Sequence, residues 1–187
     1  MTEDAARRDV DVPQLTAAEY ASLREEILKL VELQFQHVGL TVASLGTVMT
    51  VGLGTRSAPI VLVHPLLSLI LFLSWFHHTS RIHRIASYIR VHVERRVGLE
   101  AMSWEHYVQR HPLPHGRASY VGLRAAFPFS SLLSLGTSLT VASRDAQTYV
   151  LFGLALACTT ATCLAFFAWR EPAPEARPLR HPRRGGA

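Results

Sequence analysis

Four stretches of this chain, residues 33–55, 57–80, 125–143 and 146–169, contain no Asp, Glu, Lys or Arg. A hydrocarbon core of about 30 Å needs about 20 mostly apolar residues in a helix, a length that each stretch meets or approaches. Lipid offers no partner to a backbone N–H or C=O, so segments of this kind satisfy their own backbone by winding into helices. The fold class that follows is all-α integral membrane, with four transmembrane helices at about 33–55, 57–78, 125–143 and 147–169.

The charges are sorted as sharply. Of 19 Lys and Arg, only Arg56 and Arg144 lie in the short links between paired spans. An excess of Lys and Arg marks the cytoplasmic side. Both termini and the central segment 79–124 are therefore predicted inside, in the inner membrane of a bacterial cell. Residues 77–124 carry eight Arg against three Glu, and residues 170–187 carry five Arg against two Glu. Basic residues beside a membrane interact with anionic lipid head groups at ~1 kcal/mol each, so the net charge of +5 points to lipid and away from nucleic acid. The first 32 residues carry eight acids and four bases, without the apolar run of a secretory signal. Cys158 and Cys163 point in different directions on one helix and read as small apolar residues.

Residues 1–15 are polar and read as a disordered N-terminus. Thr16 and Glu19 match a capping box, so a helix is predicted to start there and to run to Gly54. Its stripe of Tyr20, Leu23, Ile27, Leu30, Gln34, His37, Thr41 and Ser44 keeps helical spacing throughout. The stripe is apolar as far as Leu30 and polar or small beyond, as expected where a helix passes from water into lipid. The second span has no breaker before Gly98, and its extension places Ile82, Ile85, Ile89 and Val93 on one face. The apolar rungs of the two extensions match in depth, and an acidic helix (Glu19, Glu25, Glu26, Glu32) faces a basic one (Arg81, Arg84, Arg95). These features predict an antiparallel cytoplasmic hairpin growing out of the first two spans.

Residues 100–109 suit a short helix with Trp104 and Tyr107 at the interface, ended by Pro112 and Pro114. Trp75, Trp104 and Trp169 are placed as an interfacial belt. Residues 16–169 thus read as one membrane domain and residues 170–187 as a disordered basic tail. Gly153, Ala157, Ala161 and Ala165 recur every four residues, a small-residue groove suited to close helix contact and to a homo-oligomer interface.

Tyr20-x-x-Leu23-Arg24-x-Glu26-Ile27, with Arg81-Ile82-x-x-Ile85-x-x-Tyr88-Ile89-Arg90-x-x-Val93-Glu94 and a following Trp104-Glu105, resembles a group of small bacterial polytopic membrane proteins. The resemblance covers residues 19–105. It implies the topology and the hairpin, and it implies no reaction.

Chemistry is sparse. His37 and His64 are the ionisable groups deepest in the spans, and such groups are costly enough to be functional candidates by default. His37 shares the polar stripe Gln34, His37, Thr41 and Ser44, which either lines a narrow aqueous path or forms hydrogen bonds between helices. His64 precedes Pro65, whose ring frees a carbonyl one turn earlier that a neutral imidazole can satisfy. Seven of the ten His lie between His77 and His115. Neither His77, His78 and His83 nor His106, His111 and His115 has the spacing of a metal site. No nucleophile elbow, phosphate loop or paired carboxylates appear, so no catalytic, cofactor or metal residues are assigned. The expected function is a non-enzymatic oligomer, either channel-like or a scaffold docking a cytoplasmic protein. The alternative is a haem- or metal-binding redox subunit using His37, His64 or the His77–His83 group.

Overall fold

The computed structural model describes residues 12–94, 104–111, 116–141 and 145–168. The N-terminal segment 1–11, Arg144, Trp169 and the basic tail 170–187 lie outside the described residues. All described secondary structure is helical: α1 (Val12–Gly54), α2 (Ala58–Leu62), α3 (His64–Tyr88), a π-turn (Ile89–Val93), α4 (Trp104–Arg110), α5 (Gly116–Ser138) and α6 (Ala146–Ala168). Three helices are long and apolar enough to cross a membrane: Gln14–Gly54, Ala58–Val93 (α2, α3 and the π-turn run together) and Ala146–Ala168.

Two boundaries differ from the sequence reading. Helix α1 starts at Val12, so residues 12–15 are helical. Thr16 lies a turn inside the helix, buried, and does not cap it. Helix α5 ends at Ser138, short of the expected 143, in a turn that carries the Val141 N–H to the Ser138 carbonyl at 3.2 Å. The cause is local: Ser138 Oγ donates to Leu135 O at 2.7 Å and Thr140 Oγ1 to Thr137 O at 2.7 Å. Hydroxyls that bond neighbouring carbonyls compete with the helical ladder. The uncharged part of α5 is thus 125–138, roughly 21 Å long at ~1.5 Å per residue, which is shorter than a bilayer core.

The link between α1 and α2 is a tight stop. Ser57 N–H donates to Gly52 O at 2.9 Å and Arg56 N–H to Leu53 O at 3.2 Å, the two bonds of a Schellman motif. Arg56 takes the left-handed conformation there, with φ 51°. Gly52 is buried against α2: a Cβ at this position would overlap Val61 Cγ2 and would lie 3.5 Å from the Ser57 carbonyl.

Helix α1 packs along α3, α3 also against α5 and α6, and α5 against α6. Polarity is inverted relative to a water-soluble bundle. Thr41, Ser68, Ser130, Ser131, Ser134, Ser138, Thr159 and Thr162 are buried, while Phe35, Ile70, Phe129, Val150, Leu164 and Phe167 are exposed. Buried hydroxyls at the helix contacts and an apolar outer surface are what lipid as solvent selects. The aromatic core joins Phe72, Trp75 and Phe127, with Tyr120 and Phe166 against it. Trp75 is 3 % exposed, so it is a core residue and not part of an interfacial belt.

Beyond the bundle, α1 and the end of the second long helix continue side by side as the expected antiparallel hairpin. Leu30, Ile89 and Val93 are buried between them; Tyr20, Leu23, Ile27, Ile82 and Ile85 are half-buried. Arg81 forms an ion pair with Glu26, and Tyr88 Oη donates to Glu19 Oε1 at 2.7 Å. The π-turn Ile89–Val93 closes this segment. Its one extra residue retards Glu94, which follows it, by about one residue's rotation, ~100°, and brings it onto the packed side, fully buried. Helix α4 covers Trp104–Arg110, with residues 100–103 of the expected 100–109 helix outside the described residues, and keeps Trp104 stacked on Tyr107 at 6.2 Å, both exposed.

Candidate functional site

The first two long helices meet along a polar seam whose chemistry changes with depth. From the hairpin inward, its rungs are Glu19–Tyr88, Glu26–Arg81, Gln34–Thr79, His37–His78 and Ser44–His64. Gln34 Nε2 donates to Thr79 Oγ1 at 2.5 Å. The His37 and His78 rings pack edge to face, with centroids 5.3 Å apart. Ser44 Oγ lies 3.3 Å from His64 Nδ1. The stripe Gln34, His37, Thr41 and Ser44 is therefore turned onto helix α3, with Thr41 completely buried. Three of its members also bond their own helix: His37 Nδ1 to Leu33 O at 2.5 Å, Thr41 Oγ1 to His37 O at 2.8 Å, and Ser44 Oγ to Thr41 O at 2.9 Å.

These bonds fix the tautomers of the neutral rings. Carbonyl oxygen only accepts, so the His37 hydrogen is on Nδ1 and its Nε2 carries the lone pair. The Ser44 proton goes to Thr41 O, so Ser44 accepts from His64 Nδ1–H. His64 Nε2 is then the acceptor of that ring, and it is buried without a hydrogen-bond partner.

A second polar contact joins α2 and α3 to α5. Ser134 Oγ donates to Val61 O at 2.7 Å, Ser68 Oγ donates to Phe127 O at 3.0 Å, and the Trp75 and Tyr120 rings lie 5.3 Å apart. The carbonyl freed by the Pro65 ring is that of Val61, and it is taken by Ser134 across the interface, so His64 does not fill it. The antiparallel register set by these three contacts puts Ser131 opposite His64. Ser131 is buried, and its hydroxyl also has no partner. Phe127 O, one turn before Ser131, already accepts from Ser68 and Ser130. Each of these two buried polar atoms carries a desolvation cost on the order of 1–3 kcal/mol.

Arg124 was missed by reading the spans from uncharged runs. It sits one turn deeper along α5 than Tyr120, is buried, and holds its guanidinium 4.5 Å from the Phe166 ring centroid. Its signal was present in the sequence: no proline interrupts the helix between Arg117 and Phe127.

The small-residue groove on α6 divides. Gly153, Ala157 and Ala161 face outward and Ala165 packs against the aromatic core. The face of α6 turned to the bundle is Thr148, Ala155, Cys158, Thr159 and Thr162. In the His-rich central segment, His92 stacks on Tyr88 at 4.8 Å and His111 on Tyr107 at 4.3 Å. The side chains of His106 and His115 lie outside the described residues. Among the described residues, no three His, Cys, Asp or Glu gather as a metal site. No family model, curated protein or solved structure matches the chain, so its function is argued from this geometry alone.

Proposed function

We propose that the protein is a non-enzymatic membrane scaffold of the bacterial inner membrane, with four spans and both termini cytoplasmic, that self-associates and docks a soluble partner on its cytoplasmic hairpin. The observation that carries this reading is the hairpin itself. Two membrane-length helices continue past the bundle as a packed pair, held by the Glu26–Arg81 and Glu19–Tyr88 contacts. From Gln34 to Val12, α1 extends roughly 33 Å further, a rigid arm offered to the aqueous side.

The fourth span is α5. It lies antiparallel to α3 over the depth from Trp75–Tyr120 to Val61–Ser134, and its 23 residues measure roughly 35 Å. Its charged end is accommodated because Arg124 is covered by Phe166 and a long Arg side chain can reach toward the interface. A pore lined by Gln34, His37, Thr41 and Ser44 is disfavoured because Gln34 bonds α3, the other three bond α1, and all four face α3 within one chain. The outward Gly153, Ala157 and Ala161 are the surface for self-association.

Two measurements test the reading. Single cysteines at Ser57 and Ala146 label only from outside the cytoplasm; labelling of either only from the cytoplasm refutes the topology. Reconstituted protein produces no ion flux in liposomes; a flux abolished by His37→Ala replaces the scaffold with a channel.

A further inference from the structure

We infer that His37 and His78 form an open two-imidazole site for one borderline divalent d-block cation (zinc, nickel or cobalt) where the first two helices leave the bundle. The site does not depend on the scaffold reading, since it needs only the packing of α1 on α3. The two residues are remote in sequence, and the hairpin alone brings their ring centroids to 5.3 Å with the planes at 64°.

The nitrogen inventory favours a shared ion. His37 Nδ1 is committed to the Leu33 carbonyl, which leaves Nε2 as a lone pair. His78 Nδ1 is buried and without a hydrogen-bond partner. Imidazole suits zinc, nickel and cobalt, and a ring already hydrogen-bonded through its other nitrogen is the usual form of a ligating histidine, its tautomer and orientation set in advance. Leu33 supplies that outer bond to His37.

The spacing fits as well. A metal–nitrogen bond of about 2.1 Å places a ring centroid roughly 3.2 Å from the ion, so centroids 5.3 Å apart subtend roughly 110° at a shared metal, close to tetrahedral. A rotation of one ring from its present edge-to-face contact aims its nitrogen at that point. Gln34 stands one turn before His37, and its amide nitrogen is held by Thr79, the residue after His78. Its carbonyl oxygen is left as a third donor, and water completes the sphere. No further His, Cys, Asp or Glu closes the site among the described residues. The site is therefore open and exchangeable, unlike a closed structural one. The neighbouring fixed charge, Arg81, is paired with Glu26, which limits its repulsion of an incoming cation. The ring of adjacent His77 lies 6.1 Å from that of His78 and is the competing partner that the experiment must separate.

The test is a titration of the full chain, purified without a histidine tag, with cobalt(II), followed by visible absorption and equilibrium dialysis, then repeated with nickel and zinc. One ion per chain is expected, with a four-coordinate cobalt spectrum and a metal-dependent rise in Tm. Either His37→Asn or His78→Gln keeps a polar side chain and should weaken binding beyond the 10–100-fold typical of losing only an outer-shell partner; both should lose the Tm response. His77→Ala and His83→Ala should bind as the parent chain does. Circular dichroism without metal confirms that each variant is folded, and His37→Gln replaces any that is not. The inference is overturned by the absence of saturable one-to-one binding, or by binding that survives both His37→Asn and His78→Gln, or by binding lost in His77→Ala. It can fail with the scaffold reading intact, because neither topology nor liposome flux depends on it.

Discussion

Gly52→Ala should loosen the outer turn between the first two long helices. In a regular helix the exchange is favourable by about 1 kcal/mol, because glycine is the poorer helix former. Here the new methyl would overlap Val61 Cγ2. Val61 has nowhere to go: it is completely buried, and a β-branched side chain in a helix has essentially one χ1 setting. Overpacking of this kind costs ~1–3 kcal/mol. Moving Val61 also disturbs its carbonyl, the acceptor for Ser134 at 2.7 Å, and an interhelical hydrogen bond in a membrane protein contributes ~0.6 kcal/mol on average. The balance is a net loss of about 1–2 kcal/mol, a factor of roughly 5–30 in the folded ratio. Equilibrium unfolding in mixed micelles measures it. Gly46→Ala is the control, since nothing lies within 4 Å of a Cβ there, and it should be neutral or stabilising. Val61→Ala should relieve the clash, so that Gly52→Ala costs at least ~1 kcal/mol less in that background than alone. If Gly52→Ala is as benign as Gly46→Ala, or if the two sites prove additive, the close approach has been misread.

Ser134→Ala should cost about 1 kcal/mol by stranding the Val61 carbonyl, whereas Ser131→Ala should fall within ~0.5 kcal/mol of neutral or stabilise, because it removes a buried hydroxyl that bonds nothing; the same unfolding assay ranks them. Arg81→Gln should destabilise the hairpin by less than ~1 kcal/mol, as expected for a pair with both side chains substantially exposed, and 1 M salt should erase the difference in thermal unfolding. Ala157→Leu with Ala161→Leu should dissolve the oligomer, read by crosslinking in native membranes, and leave the unfolding of the single chain unchanged because both positions face outward; an oligomer that persists moves the interface elsewhere.

The long helices and the hairpin were legible because each rests on a signal that is periodic or long. The rungs Leu30, Ile89 and Val93 are buried as their spacing implied, and the acid-facing-base pattern resolved into Glu26–Arg81. What escaped depended on partners distant in sequence. Helix α1 begins before its apparent cap, since a Thr-x-x-Glu pattern is compatible with a helix interior as well as its start. Trp75 carries the composition of a belt residue, and only the neighbouring Tyr120 and Phe127 make it core. Uncharged length overstated the third helix at one end and understated it at the other: Ser138 and Thr140 turn its far end by bonding local carbonyls, and Arg124 is carried inside by an uninterrupted helix. The seam shows the limit most clearly. Spacing put Gln34, His37, Thr41 and Ser44 on one face, but whether that face met water or another helix was decided by α3.

The wide turn at Ile89–Val93 separates the length of this helix from its phase. Upstream, Ile82 and Ile85 face α1 on ordinary winding; downstream, Glu94 arrives one position late, and that delay puts it among packed neighbours. Such a turn has the form of a single-residue insertion absorbed in place, with the added residue stored as a bulge. Removing one residue from 89–93 should therefore restore regular winding, leave the rungs nearer the membrane in register, and keep Glu94 on its packed side, because the residue lost and the bulge removed cancel in phase.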